Sequence, residues 1–225
     1  MNTSKTICGT AVLTCALLLG CSGNGEQPKV MASYPPTDNT LTAAGAEGMD
    51  LEATIKNWPQ KPHDAVMTVV KKYGQPEIIS EHLICWKETG QFKFTKVMDH
   101  EFPHDFPVSH TDFMEQGLSH KVPVDKVGPL AVFDGSVIVD RTTGCLSARC
   151  DVEAHNTLAL NLAHDVIMGK RTPAEARNHF AMVIMKEMKG QSDPYLEKLL
   201  FSADGDAGDK DMPVKAMDMS KAGKP

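Results

Sequence analysis

The stretch 133–180, FDGSVIVDRTTGCLSARCDVEAHNTLALNLAHDVIMGKRTPAEARNHF, carries the strongest strand signal and the longest helical periodicity in the chain. Val137, Ile138 and Val139 are a short β-branched run entered from Asp134-Gly135, which reads as a buried strand leaving a tight turn. Thr142-Thr143-Gly144 reverses the chain, so residues 145–149 are expected to return as the hairpin partner. Asp151 stands where a helix N-cap belongs, because its carboxylate can accept from the free amides of a first turn. Leu158, Leu162, Ala163, Val166 and Ile167 then recur at helical spacing, and Gly169 supplies a stop. Thr172-Pro173-Ala174-Glu175 is a capping box with proline at the first helical position, opening a second helix whose apolar face is Phe180, Val183, Ile184 and Met188. A hairpin followed by two helices predicts an α+β fold, a single small domain with an antiparallel sheet packed by its C-terminal helices.

Upstream, Pro62 to Lys72 reads as a helix stopped by Gly74, and 78–86 and 92–98 read as strands around Glu88-Thr89-Gly90. The segment 99–112, DHEFPHDFPVSHTD, reads as an ordered loop or edge, followed by a strand over 118–122 and a short helix capped by Asp125. The 225 residues are 41% hydrophobic and 23% charged, as expected of a globular protein. The expected domain, 51–190, holds 16 basic and 18 acidic residues and all nine histidines. A nearly neutral domain with no basic patch argues against a nucleic-acid partner. On either side, 21–50 reads as a flexible tether and 191–225 as a disordered tail with one helical turn over 195–201.

Residues 1–20 combine Lys5 with an apolar run from Ile7 to Leu19 that is too short to span a bilayer, and with the next residue they close the sequence Leu18-Leu19-Gly20-Cys21. This segment resembles a bacterial lipoprotein signal peptide with its lipobox. The resemblance implies cleavage before Cys21, lipidation of Cys21 and anchoring in a bilayer at the bacterial cell envelope. Ser22 in the next position, where aspartate is absent, implies the outer membrane, facing the periplasm. An accessory or interaction module with an envelope protein partner follows as the expected role, and a non-enzymatic one.

Three candidate chemistries stand beside that expectation. His100, His104 and His110 offer imidazoles suited to Zn²⁺ or Cu²⁺, with carboxylates interspersed and Pro103 and Pro107 stiffening the backbone. The competing reading is a set of solvated or hydrogen-bonding loop histidines. Cys145 and Cys150 flank the predicted hairpin and are a disulfide candidate if its turn brings them into register, which would leave Cys85 as a buried free thiol. A nucleophilic Cys150 at a helix N-terminus is the third chemistry, with an inert thiol as its alternative. Arg149 and Asp151 are ligand-binding candidates if they flank a pocket. Met182, Met185 and Met188 recur on one helix, a pattern read as core filling. No Gly-rich phosphate loop, G-x-S-x-G or H-E-x-x-H motif is present.

The segments 133–139, 147–151, 158–165 with 169–171, and 103–107 with 110–112 resemble a family of bacterial proteins of unknown function, over roughly 60–185. The resemblance implies domain limits and no catalytic residue.

Overall fold

The computed structural model describes residues 49–213. Asp50 caps α1 (Leu51–Ile55) by accepting from the Ala53 amide at 2.8 Å, and α2 (Gln60–Tyr73) follows. The strands are β1 (Ile78–Ser80), β2 (Leu83–Thr89), β3 (Phe92–Asp105), β4 (Ser109–Ser119), β5 (Val137–Asp140) and β6 (Cys145–Cys150). They pair antiparallel throughout in the order β1-β2-β3-β4-β6-β5. The helix α3 (Val124–Phe133) carries the chain from β4 to the outer strand β5, and β6 returns between them. After β6 come α4 (Glu153–Ile167), α5 (Pro173–Glu187) and α6 (Pro194–Glu197). The fold is α+β, with an antiparallel sheet packed by helices.

Helix α4 sits at the centre of the larger core. Leu158, Leu160 and Leu162 are fully buried against Leu118, Leu146, Phe133 and Phe180. Each such leucine withdrawn from water contributes about 2 kcal/mol. The polar residues of the same helix are buried but satisfied: Asn156 Nδ2 donates to the Met114 carbonyl at 3.1 Å, and Asn161 Nδ2 donates to the Tyr195 and Lys198 carbonyls at 3.0 and 2.9 Å. A second core lies beneath α2, where Val66, Val69, Ile84, Trp86, Val97 and Phe113 meet. Alternate sheet positions carry a polar row on which Ser147 Oγ donates to Glu115 at 2.7 Å and Lys96 lies 3.9 Å from the same carboxylate.

The capping box at Thr172 and Glu175 forms as expected, and α5 buries Phe180, Val183 and Ile184. Several expectations are corrected. The run 78–86 breaks at Glu81 and His82 into β1 and β2. The strand over 118–122 ends at Ser119, and α3 starts at Val124 after Pro123, so Asp125 lies in its first turn and is not its cap. Asp151 does not cap α4 either; Val152 takes that place, because the Asp151 carboxylate is drawn to His155. Met182, Met185 and Met188 are exposed, so the stripe is not core filling.

The ordered chain continues past residue 190. Tyr195 donates to Asp165 at 2.7 Å, Asp204 pairs with His120, and Arg141 Nη2 donates to Asp209 at 2.6 Å, which lays residues 191–213 along the domain. The leader, Cys21 and nearly all of the expected tether lie outside the described residues, as do residues 214–225. No helix among the described residues is long and apolar enough to cross a membrane.

Candidate metal centre

The segment expected as a loop is the tip of the longest hairpin. β3 runs to Asp105 and β4 begins at Ser109, with His104 directly opposite His110 in the register. Cross-strand partners project from the same face, and so does a residue two further along the strand. His104, His110 and Asp112 therefore converge: the two rings lie 5.0 Å apart, centroid to centroid. His104 Nδ1 lies 3.2 Å from Asp112 Oδ2, and His110 Nε2 lies 3.1 Å from Asp112 Oδ1. His100 does not join them. The register shift between Val97 and Phe102 turns it out to solvent, where its ring packs edge-on against Phe102 at 4.4 Å.

The environment of this triad is short of positive charge. Asp112 is 3% exposed, and among the described residues its carboxylate pairs with the His104 and His110 rings alone. The Val108 carbonyl accepts from His110 Nδ1 at 2.9 Å. That bond fixes Nδ1 as the protonated nitrogen of the neutral ring and turns the Nε2 lone pair toward Asp112. A lone pair facing a buried carboxylate requires a cation, either a proton or a metal. In the metal-free chain the proton is held: Asp112 beside it raises the His110 pKa to about 9, against the opposing effect of burial. Asp134 Oδ1, fixed by the Ser136 amide and hydroxyl at 2.8 Å each, lies 3.7 Å from His104 Nε2 and orients that ring from behind.

The row of ligating side chains continues beyond the triad. Cys150 Sγ lies 3.3 Å from His110 Nε2 and 3.4 Å from Asp151 Oδ1. Asp151 in turn meets His155 Nδ1 at 2.9 Å, and His155 Nε2 meets Glu187 at 2.8 Å. Burial works against a charged His155, but Asp151 and Glu187 on its two sides hold its pKa above the ordinary value. Burial would raise Asp151, and the same His155 contact outweighs it and keeps the carboxyl low. The Cys150 thiol is pushed far up by burial and then by the Asp151 charge, so without a metal it stays protonated. That state is the opposite of what a nucleophilic thiol requires. Two groups, His104 with His110 and Asp112, and Cys150 with Asp151 and His155, have ligand atoms within 4.8 Å of one another and can each hold a metal ion.

The disulfide expectation is overturned. Cys145 and Cys150 are the two ends of a single extended strand, about 16 Å apart at strand rise, and both are free thiols. Cys85 is a buried free thiol beside Trp86. The ligand-binding pair is separated as well: Arg149 projects from the other side of β6 onto the Phe102 ring at 4.9 Å, while Asp151 faces His155. Asp151 also edges a cavity of about 580 Å³ between α2 and the start of α4, floored by Val69, Phe113 and Met114, which Arg149 does not line. No protein-family model, curated protein or solved structure matches the chain.

Proposed function

We propose that this protein binds a divalent transition metal, Zn²⁺ above others, through His104, His110 and Asp112. The observation that carries this reading is the convergence of His104, His110 and Asp112, in which one nitrogen of each ring lies 3.1–3.2 Å from the buried Asp112 carboxylate and no lysine or arginine among the described residues pairs with it. Tetrahedral zinc with bonds of about 2.0 Å sets its ligand atoms roughly 3.3 Å apart, close to the two nitrogen–carboxylate separations found here. Imidazole with carboxylate suits zinc, and Cu²⁺ is the next metal such a donor set accepts. His110 is oriented by its hydrogen bond to the Val108 carbonyl, the outer support that metal-ligating imidazoles use, and the Asp134 carboxylate stands 3.7 Å behind His104.

The role is metal handling at the bacterial envelope rather than thiol catalysis. The Leu18-Leu19-Gly20-Cys21 sequence supports lipidation at Cys21 and anchoring at the outer membrane, with the domain in the periplasm as an accessory module serving an envelope protein partner. Incorporation of labelled palmitate, lost in Cys21→Ala, tests the anchor. Metal content of the full chain, purified without a His tag, tests the site beside a His104→Ala/His110→Ala double variant. Stoichiometric zinc lost in the double variant supports the reading. Absence of bound metal, with no affinity tighter than micromolar on titration, overturns it.

A further inference from the structure

The row of ligating groups does not stop where one cation would be satisfied. Asp112, Asp134, Asp151 and Glu187 all lie along it, and their ion-pair partners among the described residues are histidines alone. No lysine or arginine of the described chain ion-pairs with any of the four. Once a metal has deprotonated Cys150, four carboxylates and a thiolate face three imidazoles. With a single divalent ion bound, the His155 ring proton offsets only part of the remaining negative charge in a partly desolvated place, and a second divalent ion in its stead brings the assembly closer to neutrality.

We propose that Cys150, Asp151 and His155 form a second divalent-cation site that shares the Cys150 sulfur with the first, giving a thiolate-bridged binuclear centre. The inference rests on the metal reading of His104, His110 and Asp112. Cys150 Sγ belongs to the second donor set, 3.4 Å from Asp151 Oδ1, and reaches the first through His110, whose Nε2 is 3.3 Å away. The second set repeats the plan of the first. The Val108 carbonyl takes the outer N–H of His110, and Glu187 takes the outer N–H of His155 at 2.8 Å, leaving Nδ1 for the cation beside Asp151. Glu187 is thus a positioning residue. The backbone explains the meeting of the sets: β6 pairs with β4 so that Cys150 lies opposite Met114, two residues beyond Asp112, and α4 begins at once, placing His155 one turn above Asp151. As the two cations enter, the Cys150 thiol proton and one ring proton each from the His110 and His155 imidazolium groups pass to solvent. No electrons are transferred.

The test is a Co²⁺ titration of the chelator-stripped full chain, followed by native mass spectrometry and by the sulfur-to-cobalt charge-transfer absorption. The wild type is expected to take two equivalents with charge transfer present. His155→Gln is expected to take one and to retain charge transfer through the first site. Glu187→Gln lies at the surface, spares the fold, and is expected to weaken the second loading about 10-fold to 100-fold while leaving the first unchanged. One equivalent in the wild type overturns the second site and leaves the first standing. Two equivalents that survive both variants place the second ion elsewhere and overturn it equally. No binding in the wild type overturns the metal reading itself.

Discussion

Two half-buried histidine clusters occupy opposite ends of β4, and they are built for opposite charges. At the start of the strand, His104 and His110 share Asp112, and His155 lies beyond them between two carboxylates. At its end, His120 and His164 meet nitrogen to nitrogen at 3.2 Å, and the His164 ring stacks on Phe201 at 4.2 Å. One carboxylate, Asp204, reaches His120 at 3.0 Å. Burial lowers the pKa of both His120 and His164, with the neighbouring His120 adding to the effect at His164 and Asp204 opposing it at His120. In the first cluster, with Asp134 behind His104, four carboxylates face three imidazoles and require cations. In the second, neutral imidazoles pack and hydrogen-bond like small aromatic pieces, and they clamp the C-terminal segment. Burial is common to both, so it does not decide the role of a histidine here. The count of facing carboxylates does.

The contrast is most exposed to failure at its two aspartates. Asp112→Ala removes a nearly buried anion and strands His104 and His110, an arrangement whose loss costs about 3 kcal/mol or more. The Asp204 side chain is 42% exposed, and Asp204→Ala should cost under about 1 kcal/mol. Denaturant unfolding of the metal-free variants measures both, and equal losses would erase the distinction between the clusters. A slightly smaller effect sharpens it. Zinc at a hundredfold excess over its dissociation constant should stabilise the chain by about 2.7 kcal/mol. That increment should vanish in His110→Ala and persist in His164→Ala when unfolding is followed with and without the ion. An increment that survives in His110→Ala would mean the metal binds away from the first cluster.

The two clusters also differ in how far the sequence disclosed them. The hairpin of β5 and β6, helix α4 and the capping box of α5 were legible because local chemistry and tertiary packing agree there. The centre was half legible: three histidines close together in sequence drew attention to the right hairpin, but the prolines disguised two strands as a loop. Read as strands, His110-Thr111-Asp112 alternates, which puts His110 and Asp112 on one face and would have replaced His100 by Asp112. Cys150, His155 and Glu187 join the row only through the pairing of β6 with β4 and the packing of α5 on α4, which no local pattern encodes. The clamp was barely legible: the apolar turn over 195–201 showed, and the segment after Phe201 looks polar and aperiodic and is held by isolated contacts, Asp204 to His120 and Ala207 against Gly144. At Gly144 the backbone φ is +65°, and a Cβ there would collide with the Ala207 carbonyl carbon.

That clamp supplies the smallest and most selective test. In the unfolded chain His120 and His164 titrate near the ordinary value of about 6.5. In the folded chain both titrate lower, so between the folded and unfolded values the unfolded state binds more protons. Their contribution to stability is therefore present above about 6.5 and is lost as the pH falls through the folded values. Asp204 and Asp165 favour protonation and Lys170 opposes it at His164, but two imidazolium rings 3.2 Å apart repel each other whatever these neighbours do. Amide exchange, expressed as protection factors, should show residues 199–209 loosening between about pH 7 and about pH 5 while β2 and β3 keep their protection. His164→Gln keeps a polar side chain in place without the titration and should flatten the response. A segment that holds its protection through this range would show that the backbone bonds from Asp204 to Ser119 and from Asp209 to Arg141 hold it without the histidines.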